Sequence, residues 1–335
     1  MMHYIGIDFH KESTHVVVLN EAGKLLERTR IPTRREELVR FFANRPEPAK
    51  AALEATRNWY WAYDTIEPLV EELKLASPPK IRIIAESTVK TDHIDAKVIA
   101  DLLRSNFLPT CYVPDAETRQ KRELLRHRAF LVQIRTKVKN RIHIILDKLG
   151  IGHPFDNLFS KRGLEFLRGL ELPWAYQKEL EDSLEMLEFL NGKEKEQNKV
   201  IEKLCQESEE AALLMTIPGI AYHNALLIMS EIGDVNRFAT GTKFCGYCGL
   251  VPTVHISDKT VRYGQMMAGG NKWLRWVFIE AAHIGRRKSL RFSRLYERVK
   301  VKRGPQVAIG AVAREMAVVS YYVLKYRNPF RDSKW

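Results

Sequence analysis

Two short apolar runs near the start of the chain, Tyr4–Asp8 and Thr14–Leu19, flank the polar stretch FHKES, the pattern of a β-hairpin. Helical patterns follow over Arg34–Ala43 and Trp59–Leu73. A short strand over Leu73–Ser77 then stops at Pro78-Pro79, and two more helical stretches come after it, the second opening near Thr91. Strands interleaved with helices admit few packings, and the one favoured here is an α/β layered domain over residues 1–112.

From 113 to 210 the pattern is helical and charged. Ile134, Val138, Ile142, Ile145 and Leu149 recur at helical spacing and mark an apolar stripe. Between Arg119 and Arg141 nine Lys or Arg face a single acidic residue, Glu123. A solvated face explains such a run in a lone helix, but so one-sided a sign favours phosphate contact. Residues 173–210 are helical again and rich in Glu, so the region reads as a helical hairpin or coiled-coil arm. The third region, 211–335, opens with MTIPGIAYHNALLIMSEIGD, two helices around a Pro-Gly turn. That order fits a helix-hairpin-helix-like element offering backbone N–H groups to a phosphate, and equally an ordinary helical hairpin, since Ala221 stands where a second turn glycine is usual. Val312, Met316, Val319 and Val323 mark a terminal helix with a buried stripe.

The 335 residues suffice for at least two cores, and a formal charge of +13 favours a polyanionic partner. No signal-peptide pattern opens the sequence, and no run of about 18 uncharged apolar residues is present, so a cytoplasmic, nucleoid-associated protein without membrane spans is expected. Cys245 and Cys248 have metal-ligand spacing but no second pair, so buried free thiols are the expectation for them.

Four carboxylates stand out. Asp8 ends the first apolar run, where a strand end can open into a cleft. Glu54, in AALEATRNWYW, sits between an apolar run and an aromatic helix. Asp92 and Asp95, in KTDHIDAKVIADLL, fall about 60° apart around a helix and repel unless a cation lies between them. Asp101 falls on the opposite side from Asp92 and is excluded. Singly these are a turn Asp, a helix-entry Glu and an acidic helix start. Together they form the order Asp, Glu, Asp, Asp, a hard-oxygen set suited to the divalent ions of phosphodiester chemistry.

At this point the chain resembles a known family. GIDFHKES, LEAT with its aromatics, and KTDHIDAKVIADLL resemble the three acidic motifs of the DEDD insertion-sequence transposases, and TIPGI, SEIGD, RF, GL-V-P and GNKWLR resemble the family's C-terminal transposase domain. The match is collinear over nearly the whole chain. The resemblance implies an RNase H-like (RuvC-like) N-terminal domain, a helical arm and a mainly α C-terminal domain. It implies that Asp8, Glu54, Asp92 and Asp95 hold Mg²⁺, and that a serine after GL-x-P, seven residues before a Gly, is the nucleophile. Ser257 and Gly264 match that pattern. It further implies donor and target DNA as substrates, a noncoding guide RNA, and a tetramer built from dimers in which the serine of one subunit completes the carboxylate site of another. Arg126, Arg128, Arg135, Lys139 and Arg141 would contact RNA or DNA phosphates, and Lys272 and Arg275 would lie near the scissile phosphate. Two features depart from the family: Asp258 follows the serine in place of Gly, and QMMAGG precedes GNKWLR where a hydroxyl and a basic residue are usual.

The expected activity is therefore cleavage and rejoining of DNA through a serine–phosphate bond. The alternatives are a metal-dependent junction resolvase or nuclease without a covalent step, a non-catalytic nucleic-acid-binding protein and, more remotely, an actin-like ATPase. Tyr263 is a second candidate nucleophile, without a matching catalytic set.

Overall fold

The computed structural model describes residues 1–45, 47–84, 92–257, 260–267 and 269–332; for 92–94, 254–257 and 260–263 only the backbone is described. The chain divides into two compact units, Met1–Val113 and Pro114–Trp335.

In the first unit β1 (His3–Phe9), β2 (Ser13–Leu19) and β3 (Leu25–Pro32) form an antiparallel meander. After α1 (Arg35–Ala43), β4 (Ala49–Glu54) enters parallel to β1. Then α2 (Trp59–Ile66) leads to β5 (Glu72–Ala76), parallel to β4, and the sheet order is β3-β2-β1-β4-β5. Two more helices follow, α3 (Pro78–Ile84) and α4 (Asp92–Arg104).

The alternating pleat sends Ile5, Ile7, Ala51 and Leu53 to one face, where they pack with Leu38 and Phe42 of α1 and Ala62 and Ile66 of α2. On the other face lies α4, whose Ala96 and Ala100 pack with Val17 and Leu19. Contact there is close. A Cβ on Gly6 would stand 2.6 Å from the Ala100 nitrogen and closer still to the Ala96 carbonyl, so only glycine lets this helix lie directly on β1.

Two strands of this unit were not expected from the sequence. β3 is charged and mostly exposed, an edge strand held by its ladder to β2 rather than by an apolar face. β4 reads AKAALE, poor in strand-forming residues, yet it is sandwiched between β1 and β5. The helix expected over Trp59–Leu73 stops at Ile66. Pro68 lies in a 3₁₀ turn over Glu67–Leu69, and residues 72–76 pair with β4 instead.

The second unit opens with α5 (Ala116–Lys148), a 33-residue helix capped by Asp115. The Thr118 backbone N–H donated to Asp115 holds that carboxyl below its ordinary range. α6 (Lys161–Arg168) turns the chain into α7 (Trp174–Gln206), also 33 residues. Arg128 meets Glu194 and Arg141 meets Glu179, so α5 and α7 run antiparallel. Their far halves share a separate core with α6, containing Val138, Ile142, Ile145, Leu180, Leu184 and Leu187.

The remaining helices are α8 (Glu209–Met215), α9 (Tyr222–Ile232), α10 (Gly241–Tyr247), α11 (Lys272–Lys288), α12 (Leu290–Arg303) and α13 (Pro305–Tyr326). Between α10 and α11 a hairpin of β6 (Pro252–Ser257) and β7 (Thr260–Met266) projects. By length and composition α13 is apolar enough to cross a membrane. However, 61% of that window is buried, with Val312, Met316, Val319 and Val323 inside the core, as in a central core helix.

The Pro218-Gly219 turn sits on α11. Gly219 has φ +100°, and a Cβ there would stand 3.0 Å from the Gly285 nitrogen and closer to the Ala281 carbonyl. The two helices and turn of the expected helix-hairpin-helix-like element are therefore present, but the glycine serves as a packing joint.

Candidate active site

Asp8 and Glu54 come together through strand register. Ile7 pairs with Leu53 in the parallel ladder, so Asp8 and Glu54 follow at one level on neighbouring strands. Side chains one register step beyond an in-register pair share a sheet face, with strands about 4.8 Å apart. Gly6 and Ala52 precede them by two residues and face α4, so Asp8 and Glu54 stand on the α4 face.

The direction of α4 brings its first turn to the same level. Arg104, at its C-terminal end, donates from Nη1 to the Glu21 carbonyl, next to the end of β2 that pairs with the start of β1. The helix therefore runs opposite to β1. Asp92 precedes Ala96 by four residues, about 6 Å of helix, and Asp8 follows Gly6 by two, about 6.6 Å of strand. Position 92 falls about 40° around the axis from Ala96. Its side chain lies outside the described residues, and so does any contact it makes. Asp95 is exposed on the same first turn.

Asp8 is 2% exposed, and its Oδ2 lies 3.0 Å from Nε2 of His10. An ionised carboxylate only accepts, so that nitrogen donates. His15, paired with Asp8 across the β1–β2 ladder, is also buried, and its ring meets that of His10 at 6.1 Å. Neither histidine was singled out from the sequence. Strand alternation, which sets residue 15 opposite residue 8, was the available signal. Two carboxylates side by side repel, and a divalent cation is the hard partner that relieves the repulsion. Among the described residues no group of three or more His, Cys, Asp or Glu is gathered closely enough to hold a metal; the Asp92 side chain is not among them.

The second unit carries the remaining candidates. Ser257 is the last residue of β6, paired with Thr260 across the hairpin. The side chains of Ser257 and Tyr263, and all of Asp258, lie outside the described residues. Gly264 has a structural reason: a Cβ there would collide with Thr253 Oγ1, itself bonded to the Gln265 carbonyl at 3.1 Å. Gly249, of the GL-V-P motif, has φ +67°, and a Cβ there would stand 2.6 Å from the Gly269 carbonyl. Arg275 binds this joint, donating from Nη2 to the carbonyls of Met267, at 2.7 Å, and Gly269. It thus holds the base of the hairpin, while Lys272 is exposed at the start of α11.

One buried carboxylate links the family motifs. Glu231, of SEIGD, is 1% exposed. Arg126 donates to its Oε1 from Nε and Nη2 at 2.9 and 2.7 Å, and Asn271, of GNKWLR, donates to its Oε2 at 2.8 Å. Asn271 Oδ1 in turn caps α11 by accepting from the Trp273 and Leu274 backbones. Arg122 donates to the Glu231 carbonyl and lies 3.8 Å from its carboxylate. Glu231 carries no local signal in the sequence, because a lone Glu in an apolar helix does not announce its partners.

The basic run of α5 is largely paired within the unit. Arg126 binds Glu231, Arg128 and Arg135 both bind Glu194, and Arg141 binds Glu179. Lys139 lies over the Phe159 ring at 4.7 Å, and burial pulls its ammonium below the ordinary range. Cys245 and Cys248 are buried free thiols, and desolvation pushes Cys245 up to about 11.

Two family models match the chain in succession, the first running past the Val113 boundary to the end of α5. The DEDD transposase model of the IS110 kind matches residues 5–151, which span the carboxylate strands and α4. The model described as "Transposase IS116/IS110/IS902 family" matches residues 211–297, which span Glu231, the hairpin and Asn271. Among relatives, the transposase for insertion sequence element IS1328 of Yersinia enterocolitica is 28% identical over 283 residues, 84% of this chain and 83% of the relative. A probable family 20 transposase of Pseudomonas aeruginosa is 25% identical over 98% of both chains. The transposase for element IS1111A of Coxiella burnetii is 25% identical over 98% of this chain and 91% of its own. With both matches in chain order, one on the carboxylate sheet and one on the helical region organised by Glu231, the chain belongs to the IS110 family of insertion-sequence transposases.

Proposed function

We propose that this transposase cuts and rejoins DNA with Mg²⁺ held by Asp8, Glu54, Asp92 and Asp95, through a covalent bond between Ser257 and a DNA phosphate. The observation that carries the metal assignment is the placement of Asp8 and Glu54 at one level on adjacent parallel strands, with the first turn of α4 at that level. Their oxygens are the hard donors that Mg²⁺ prefers, so the residues fit the ion. The strand order β3-β2-β1-β4-β5, antiparallel then parallel, supports an RNase H-like, RuvC-like first domain over 1–112. Residues 113–210 then act as the helical arm and 211–335 as the transposase domain.

When bound, Mg²⁺ supplies charge stabilisation at the phosphate and lowers the pKa of the attacking hydroxyl. Ser257 attacks phosphorus, so one serine–phosphate ester forms as one phosphodiester bond breaks and the leaving sugar oxygen gains a proton. Exchanging one ester for another conserves the bond energy, so a second sugar hydroxyl can displace the serine and reseal the strand. His10, 3.0 Å from Asp8 Oδ2, orients that carboxylate. A guide RNA, tetrameric assembly and completion of the site by a serine from another subunit belong to this reading through the family likeness. Arg126, Arg128, Arg135, Lys139 and Arg141 have their remaining N–H groups for phosphate, as does Lys272.

The test is a strand-transfer assay on element-end DNA with denaturing capture of protein–DNA adducts. Asp8→Ala and Ser257→Ala should each abolish recombination without loss of RNA binding, and Ser257→Ala should also lose the adduct. Recombination surviving either substitution refutes the assignment. Cleavage in Ser257→Ala without an adduct would favour a metal-dependent nuclease with no covalent step.

A further inference from the structure

We infer that α12 presents a backbone-binding stripe for duplex DNA, formed by Arg294, Arg298 and Lys302. The inference rests on this family acting on DNA, and is independent of the chemistry assigned to Ser257.

The second unit contains two basic runs with different fates. From Arg286 to Arg303 the chain has nine Lys or Arg and one acid, Glu297, the same excess as the run on α5. On α5 the arginines are paired with Glu231, Glu194 and Glu179. On α12 the few nearby acids are engaged elsewhere. Glu315 pairs with Arg291, Glu297 with Lys300 at 3.5 Å, and Asp332 accepts from the Leu290 and Arg291 backbones at the start of the helix. Arg294, Arg298 and Lys302 are exposed, and none has an ion-pair partner among the described residues.

The three share a line on the helix. Each step of four residues advances about 6 Å and turns about 40°, so the row spans about 12 Å. Arg294 and Arg298 each stand two residues from Tyr296, about 160° around the axis. Tyr296, like Phe292, is buried against the core, so the row faces away from it. Arg303, Arg287 and Lys288 extend the exposed positive surface at the two ends. A row of evenly spaced cations that winds only about 80° along a well-anchored helix matches a linear polyanion. About 12 Å of one DNA strand, at 3.4 Å of axis per phosphate, presents about three phosphates. A duplex backbone repeats its phosphates continuously on that scale, so it is the occupant that fits.

The test is the salt dependence of duplex binding by the full chain, read by fluorescence anisotropy. The triple variant Arg294→Gln, Arg298→Gln, Lys302→Gln removes three exposed charges at little helix cost, because Gln is close to Arg and Lys in helix propensity. A control, Lys178→Gln, Lys193→Gln, Lys195→Gln on α7, removes the same formal charge elsewhere; Lys178 and Lys193 there already pair with acids. The stripe variant should flatten the slope of log K against log salt by about 2.7, at about 0.9 per phosphate, and the control should leave it unchanged. Matching thermal melts confirm that both variants fold. An unchanged slope in the stripe variant overturns the inference, as does an equal flattening in the control. If the stripe variant keeps the wild-type slope but loses self-association, the row is a protein contact and the inference fails. A wild-type chain with no duplex affinity overturns the DNA-acting reading itself.

Discussion

Replacing Glu231 by Ala removes the carboxylate that joins α5, α9 and the start of α11. The change deletes both hydrogen bonds from Arg126, the one from Asn271, and the ion pair at 3.8 Å from Arg122. Summing these at the usual 1.5–3 kcal/mol for charged hydrogen bonds would exceed about 5 kcal/mol, but that sum overcounts. Arg126 has a side chain 31% exposed and regains water, whereas Arg122 at 10% is left largely buried beside an empty site. The cost of breaking a buried pair from one side is about 3–5 kcal/mol, and that range decides the estimate. For a unit of this size the melting midpoint should fall by roughly 6–20 °C, at about 2–4 °C per kcal/mol. Thermal melts followed by circular dichroism, with urea titrations for ΔG, make the measurement. A loss below about 1 kcal/mol would show that Arg126 and Arg122 find other partners, and the account of Glu231 as the joint between the motifs would be wrong.

Gly6→Ala should destabilise the first unit by about 1–3 kcal/mol and abolish strand transfer, because the new methyl pushes α4 off β1; a near-native melt with full activity would contradict the close packing. His223 is half-buried, and desolvation followed by the nearby Arg128 charge lowers its pKa, so the fold favours its neutral form. Its contribution is present above the unfolded value near 6.5 and is lost as pH falls through the lower folded value. Urea stability should therefore drop between pH 7 and 5 by up to about 1.4 kcal/mol per unit more than in His223→Gln, and equal slopes would contradict this. Native labelling with a thiol reagent should modify Cys111 and spare Cys205, Cys245 and Cys248, which are fully buried; rapid labelling of Cys248 would place it at the surface.

The hairpin of the first two strands, the stripe Val138, Ile142 and Ile145, and the terminal stripe Val312, Met316, Val319 and Val323 were legible, because apolar periodicity reports directly which face is buried. β3 and β4 were not. One is an exposed, charged edge strand and the other an alanine-rich inner strand, and both are strands because of the neighbours they pair with. Among site residues, the spacing of Asp92 and Asp95 was readable from helix geometry alone. The proximity of Asp8 to Glu54 was not, since it depends on a parallel register that pairs residues 46 positions apart, as Ile7 with Leu53. The basic run of α5 shows the opposite gap: its charge excess was counted correctly, but the acids that pair with it lie on α7 and α9.

Local pattern was enough to settle the first hairpin, the long helices, the acidic motifs and their order, because those depend on residues a few positions apart. Pairing across the chain decided the rest: which carboxylates share a strand level, which arginines are internally neutralised and which remain on the surface of α12. Net charge is additive along a sequence, but the field a nucleic acid meets is what remains after the fold has paired its own ions, and only the folded chain carries out that subtraction.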